Sequence, residues 1–360
     1  MKNKGIVFVC QYLAKGGAER VLSILIEHYS KITDVTVVLL YENSIDYPIP
    51  STVNLIQLKW DKNTSIINQL RGIHYLRKVS HGKVVISFLY SAIRNAVLVS
   101  LLNKTHLIVS ERNDPSKDPI GVHRRILRNI LFHFADQIVF QTEDQKQYFS
   151  RTIRKKGVII ENPISPCLPD LRDLSSKVII SVCRYDPQKN IKMSIDAFSE
   201  FYKTHKEYSY DIYGKGELET ELRKYIKSLS LDNVIKLRGF STDIHSIMSR
   251  ASMYISSSDY EGISNSMLEA LGIGLPTICT DCPIGGARHI IKNGHNGILV
   301  KVGDTADLAI QMNRIADDKV YAKFLSDNAV KIRDDYSIEK ICSKWDEAIY
   351  KHVMNRLERL

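Results

Sequence analysis

Two carboxylates stand eight residues apart in the stretch Glu261-Gly262-Ile263-Ser264-Asn265-Ser266-Met267-Leu268-Glu269. Glu261 falls in a glycine-containing turn, and Glu269 lies about one turn into a helix that the pattern predicts between them. The first amides of a helix have no partner within it, and together with the helix dipole they bind phosphate. Those of Ile263, Ser264 and Asn265, beside Gly262, face the same space as both acids. Carboxylates there accept hydrogen bonds from hydroxyls. Phosphate donors next to hydroxyl acceptors describe a site for a sugar nucleotide. Taken alone, Glu269 also reads as a surface acid on a helix.

A second group follows the apolar run Val178–Val182: Arg184-Tyr185-Asp186-Pro187-Gln188-Lys189-Asn190. Arg184 and Lys189, five residues apart in a loop, can converge on one diphosphate. Arginine offers a planar fork of donors and lysine a point charge. Stabilising a departing diphosphate is a large electrostatic need, and a cation pair meets it; the alternative is a solvated charge pair. Metal-dependent sugar-nucleotide enzymes use Asp-x-Asp for that task. No such triplet occurs, Asp259-Tyr260-Glu261 being the nearest, so no essential metal or other cofactor is expected. Near the N-terminus, Gly16-Gly17 separates a strand run from a helical one. Two glycines permit positive φ and a close backbone approach to phosphate or sugar, although an ordinary strand-to-helix turn reads the same way.

In order along the chain, Gly16-Gly17-Ala18-Glu19-Arg20, Arg184 to Asn190, Gly214-Lys215-Gly216, Arg238-Gly239-Phe240, Glu261 to Glu269 and Gly272-Ile273-Gly274-Leu275-Pro276 resemble the motifs of the retaining family-4 glycosyltransferases. Asp281-Cys282-Pro283-Ile284-Gly285-Gly286 looks most like the members that build surface polysaccharides. The resemblance implies the GT-B fold, two facing doubly wound Rossmann-like domains with ligands between them. It implies transfer of a hexose or N-acetylhexosamine from a UDP-sugar to a lipid-diphosphate-linked saccharide. Glu261 would hold the sugar hydroxyls at the third and fourth positions and Glu269 both ribose hydroxyls. Gly16 and Gly17 would approach the donor, Gly239 and Phe240 would line the uracil, and Arg184 and Lys189 would hold the diphosphate. Many relatives carry a histidine near Ser110-Glu111-Arg112-Asn113; this chain has none there, His106 entering the strand too early. Arg112 and Asn113 are the acceptor or sugar contacts expected in its place, with a structural Glu111–Arg112 pair as the alternative.

Elements must position these residues. Apolar runs at Ile6–Cys10, Val35–Leu40, Val53–Leu58, Val84–Phe88, His106–Val109 and Gln137–Phe140 alternate with helical periodicity, which predicts a parallel doubly wound sheet. The alternation restarts at Val178–Val182 and continues through Tyr208–Tyr213, Val234–Leu237, Met253–Ser256, Pro276–Cys279 and Gly297–Val300. The expected organisation is an N-terminal acceptor-binding domain over 1–165, a proline-marked linker over 166–176, and a nucleotide-sugar-binding domain over 177–336. Residues 337–360 read as one or two amphipathic helices; the resemblance sends them back onto the first domain.

The chain has 360 residues and a formal charge of +10. Residues 1–165 carry 23 Lys+Arg against 13 Asp+Glu, and the remainder carries 27 against 27. The excess therefore lies in the first half and implies an anionic partner there. Gly121–Ala135 interleaves Arg124, Arg125 and Arg128 with Ile126, Leu127 and Ile130. It reads either as a helix presenting cations to an anionic membrane surface or as a core helix with a wet face. No run of about 18 apolar residues predicts a membrane span, and the N-terminus has no signal-peptide layout; the expected place is the cytoplasm, peripheral at the inner face of the membrane. Scattered cysteines point to buried reduced thiols. Two rivals remain: a transferase for a soluble acceptor, and a basic nucleic-acid-binding protein, for which no helix-turn-helix, zinc-finger or RNA-binding aromatic motif speaks.

Overall fold

The computed structural model describes residues 5–14, 16–42, 45–61, 63–103, 105–170 and 175–357, with the side chains of 351–357 left out. The chain divides into two compact units, Met1–Pro163 with Ile338–Leu360, and Ile164–Ser337. Of the stretch expected as a linker, residues 171–174 lie outside the described residues. Leu168 before them is buried in the second unit's core, as is Ile164.

The first unit runs β1 (Ile6–Cys10), α1 (Gly17–Ser30), β2 (Val35–Tyr41), β3 (Asn54–Trp60), α2 (Ile66–Ser80), β4 (Val84–Phe88), α3 (Tyr90–Asn103), β5 (His106–Ser110), α4 (Val122–Phe132), β6 (Gln137–Phe140), α5 (Glu143–Gln147), α6 (Arg151–Arg154) and β7 (Gly157–Ile159). The second runs β8 (Val178–Val182), α7 (Ile191–Phe201), β9 (Ser209–Tyr213), α8 (Glu219–Ser228), β10 (Ile235–Gly239), α9 (Ile244–Ser249), β11 (Met253–Ser256), α10 (Asn265–Ile273), β12 (Thr277–Thr280), α11 (Gly286–Ile290), β13 (Ile298–Val300), α12 (Thr305–Asp317), α13 (Lys319–Ala329) and α14 (Ile332–Asp335). One long helix, α15 (Ile338–Leu357), closes the chain on the first unit.

Both sheets are parallel, ordered β3-β2-β1-β4-β5-β6-β7 and β10-β9-β8-β11-β12-β13. Helices cover both faces of such sheets, so their strands read as near-continuous apolar runs, and β1 and β4 are buried at every position. The period of two sorts neighbours between faces: Ile179 joins one core cluster of the second unit and Ile180 the other. The short strand β7 has no counterpart among the runs recognised in the sequence, because three half-buried residues carry little pattern.

The expected doubly wound sheets are both present, and so is the return of the terminal helix to the first unit. Trp345 of α15 is fully buried and stacks on Phe88 with ring centroids 5.8 Å apart. Tyr29 of α1 donates its hydroxyl hydrogen to Asp346 at 2.9 Å, and Lys344 reaches Glu161 at 2.6 Å.

Candidate functional site

In an open parallel sheet the chain leaves neighbouring strands in opposite directions at one place, and a crevice opens there at the carboxyl ends. In the second unit that place lies between β8 and β11, which pair directly although α7 to α9 separate them in sequence. The loop after β8 holds Arg184 and Lys189, and the loop after β11 holds Glu261. The topology thus brings two motifs some seventy residues apart to one crevice.

The two loops are joined by their own polar groups. Asn190 adopts a left-handed conformation (φ 40°), caps α7 by accepting from the Met193 amide, and donates to Asp259 at 2.7 Å. The Ser257 hydroxyl donates to the Lys189 and Asn190 carbonyls at 3.0 and 2.9 Å. Gln188 donates to the Tyr260 carbonyl at 2.9 Å, and its own backbone carbonyl accepts from the Asp259 amide at 2.9 Å. Thr280 of β12 holds the Ser258 carbonyl at 2.6 Å from the other side. Gly286 sits so close to this loop that a Cβ would lie 1.8 Å from the Gly262 carbonyl oxygen. A small pocket remains beside this loop, lined by Ser258, Glu261, Gly262, Ser264 and Thr280 among others.

Inside this frame Lys189 and Glu261 form an ion pair, both largely buried, and Ser258 donates to the same carboxylate oxygen at 3.2 Å. Burial disfavours the Lys189 ammonium, but the Glu261 carboxylate outweighs it and holds the pKa above the ordinary lysine range. An ammonium has three donors, so pairing with Glu261 is compatible with a phosphate contact. Arg184 is two-thirds exposed and pairs with Asp186 at 3.1 Å.

α10 begins where the sequence predicts, capped by Ser264, whose hydroxyl accepts from the Met267 amide. It ends at Gly274 in the left-handed region (φ 85°), with the Leu275 amide closing on the Ala270 carbonyl. Glu269, its fifth residue, is no surface acid: it is buried among Met267, Leu268, Ala270 and Leu271. Beside it stands a residue that sequence reasoning missed. His245 of α9 places Nε2 3.1 Å from Glu269 Oε2, close enough for an ion pair when protonated but outside hydrogen-bond alignment. Nothing in the spacing signals this, because α9 and α10 meet only through tertiary packing.

The remaining second-unit residues fall around the same sheet end. Gly239 ends β10 in the left-handed region (φ 77°), and Phe240 after it is half exposed. Gly214 and Gly216 lie against the β8 loop, where added Cβ atoms would come within 1.8 Å of the Cys183 carbonyl oxygen and 2.2 Å of the Tyr185 carbonyl oxygen. Cys279 and Cys282 are buried free thiols, and burial pushes both up. Among the described residues no group of three or more His, Cys, Asp or Glu forms a metal-binding set.

Three expectations for the first unit need correction. Gly16 does not use a positive φ: it caps α1 in an extended conformation (φ −150°) that any residue adopts. What its lack of a side chain provides is room for the buried Glu19 carboxylate, which would lie 2.1 Å from a Cβ. Gly17 starts the helix itself.

Glu111 does not form its ion pair with Arg112. Its partner is Arg128, at 3.1 Å, and burial pushes the Glu111 carboxyl up to about 7 against the lowering pull of that guanidinium. Arg112 lies over the Phe88 ring at 4.4 Å and donates to Asn162 at 3.0 Å. Asn113 accepts on its backbone carbonyl from Gln145 at 2.7 Å.

Arg128 faces no membrane. It is 1% exposed, donates to the Asp118 and Pro115 carbonyls at 2.7 and 2.9 Å, and lies 4.9 Å above the Phe149 ring. A guanidinium with five donors can satisfy several acceptors at once, so a helix facing a wall of carbonyls buries its arginine. Arg124 remains exposed and Arg125 half-buried.

Residues 170–332, which contain the whole crevice, match the family model "Glycosyl transferases group 1". Through these residues, a little under half of its length, the chain is similar to that family. Two curated relatives extend the likeness beyond the glycosyltransferase match. One, from Campylobacter jejuni, is named GalNAc-alpha-(1->4)-GalNAc-alpha-(1->3)-diNAcBac-PP-undecaprenol alpha-1,4-N-acetyl-D-galactosaminyltransferase; it is 25% identical over 94% of this chain and 96% of its own. The other, the amylovoran biosynthesis glycosyltransferase AmsD of Erwinia amylovora, is 25% identical over 93% and 96%. Among solved structures, Anabaena Alr3699/HepE in complex with UDP and glucose matches with a TM-score of 0.81 at 20% identity, covering 99% of this chain and all of that one. The glycosyltransferase fold is thus the GT-B fold expected from the motifs.

Proposed function

We propose that this glycosyltransferase moves a hexose or N-acetylhexosamine from a UDP-sugar, with retention of configuration, to a lipid-diphosphate-linked saccharide in surface-polysaccharide synthesis at the inner face of the membrane. The observation that carries the reading is the buried Lys189–Glu261 pair at the switch point of the second sheet, beside the start of α10. A buried cation next to the amides of a helix start suits a diphosphate, and the adjoining carboxylate suits sugar hydroxyls. The Campylobacter relative, named for an undecaprenol-diphosphate acceptor, and the Anabaena structure holding UDP and glucose support the two substrate classes.

The chemistry follows from these groups. Lys189 and Arg184 neutralise the charge that grows on the diphosphate as the glycosidic bond to it breaks. No side chain is assigned as a nucleophile. The acceptor hydroxyl attacks the anomeric carbon from the face the diphosphate leaves, and a departing phosphate oxygen takes the hydroxyl proton. Arg184, Lys189, Glu261 and Glu269 carry the reaction's donor side, with the amides of Gly262 to Asn265 on the phosphates and Gly239 and Phe240 at the base. Mass spectrometry of products from a panel of UDP-sugars and lipid-diphosphate-linked acceptors tests the reading. Transfer that persists in EDTA is expected; loss in EDTA restored by Mg²⁺ or Mn²⁺ overturns the metal-free mechanism, and no transfer to any lipid-linked acceptor overturns the acceptor class.

The two glutamates separate by measurement. Glu269→Gln is expected to weaken UDP binding with little change in kcat, because ribose contacts are alike in ground and transition states. Glu261→Gln is expected to lower kcat and shift sugar preference. It also removes the charge that holds the Lys189 pKa up while burial remains, so that pKa falls. Equal losses of UDP affinity in calorimetry would show the roles to be misassigned.

A further inference from the structure

An outer helix of an α/β layer normally buries its apolar stripe and exposes its polar one. α4 departs from this along most of its length, burying Leu131 and Phe132 only at its end. It buries Arg128 and exposes Val122, Ile126 and Ile130, four residues apart on one stripe, at 63%, 55% and 50%. Its neighbour α3 buries Ile93, Val97 and Val99 along with Ala92, Ala96 and Ser100, yet still exposes Leu98, Leu101 and Leu102. α3 packs against both α2 and α4, and all three helices contribute to the same core cluster, so they lie side by side on one face of the first sheet. α2 adds Ile66, Ile67 and Leu70 to the exposed set.

The charge on these helices has one sign. None of the 15, 14 and 11 residues of α2, α3 and α4 is Asp or Glu, and seven are Arg or Lys. Arg71, Lys78, Arg94 and Arg124 are exposed. A second copy of the chain would bring the same uncompensated cations against these, whereas an anionic bilayer neutralises them and accepts the apolar side chains below its headgroups.

We infer that the α2–α3–α4 face is a membrane-docking surface that inserts the apolar stripe of α4 among anionic lipids. This deepens the proposed function, resting on its lipid-linked acceptor for purpose but not for evidence. It also replaces the expected cation set: Arg124 remains, Arg128 leaves, and hydrophobic insertion joins charge. Each basic residue near an anionic surface adds roughly fivefold to partition, and salt screens it.

The test uses the full chain and flotation with phosphatidylcholine vesicles, with and without phosphatidylglycerol. The wild type is expected to float with the anionic vesicles, the more so at low salt. Ile126→Asn with Ile130→Asn should cut that partition at least about tenfold, and Arg124→Ser with Lys78→Ser should remove most of the preference for phosphatidylglycerol. Both changes fall on exposed side chains, and unchanged melting confirms folding. Transfer to a short-chain soluble acceptor should be unchanged in both variants. A wild type that does not float overturns the inference, as do variants that float unaltered, or a sedimenting dimer that Ile126→Asn with Ile130→Asn dissociates. Flotation as expected without transfer to a lipid-linked acceptor sustains the docking face and overturns the acceptor reading instead.

Discussion

Lys189→Ala is expected to lower kcat/KM by roughly 30-fold to several-thousand-fold, the equivalent of about 2–5 kcal/mol for removing one charged partner from a desolvated site. Lys189 is the buried cation of the pair, with only 13% of its side chain exposed against 66% for Arg184. Screening is weak where water is excluded, so the effect should exceed that of Arg184→Ala. The substitution also leaves Glu261 without its ammonium, repelling the diphosphate that Lys189 would attract. Lys189→Arg separates the two effects: it keeps a charge beside Glu261 but alters the geometry, and should recover part of the rate. Circular dichroism should show an unaltered fold. Near-wild-type turnover in Lys189→Ala, or a greater drop in Arg184→Ala, would sink the assignment.

Arg128→Ala should damage the first unit rather than the chemistry. It removes the hydrogen bonds to the Pro115 and Asp118 carbonyls and leaves Glu111 buried without its cation. Breaking a buried pair from one side costs about 3–5 kcal/mol, which for a unit of this size lowers Tm by roughly 10 °C. Adding Glu111→Gln should restore part of the stability above neutral pH, where it removes a buried carboxyl that folding must otherwise hold protonated. Arg128→Lys should restore little, since three donors on a flexible stem do not reproduce a planar fork of five. Calorimetric melting of the wild type and these three variants decides it; an Arg128→Ala protein that melts like the wild type would return this residue to the surface role the sequence suggests.

Arg128 also marks where a sequence stops specifying its own burial. The interleaving of basic and apolar residues over Gly121–Ala135 correctly predicts a helix, because periodicity is a local property. Which face of that helix turns inward is not local. It is decided by what stands opposite, and opposite α4 stand Glu111, the Pro115 and Asp118 carbonyls and the Phe149 ring, all fitted to a guanidinium. The outward turn of Val122, Ile126 and Ile130 follows from that choice.

The strand runs, the two parallel sheets and a helix beginning between Glu261 and Glu269 were legible in the sequence by itself. Each depends on a short stretch: an apolar run buried on both faces, or a glycine-containing turn before a helical segment. The roles proposed for Arg184, Lys189, Glu261 and Glu269 likewise start from residue type and spacing. Tertiary structure alone decided their partners. Lys189 meets Glu261 because β8 and β11 are neighbours at the switch point. Glu269 is buried against His245 because α9 packs on α10. Gly286 is confined by the Gly262 carbonyl and Gly16 by its own Glu19. Apart from that last local pair, each deciding approach joins parts of the chain brought together by burial of the sheet's apolar faces, a long-range effect with no signature in the spacing of the residues it positions.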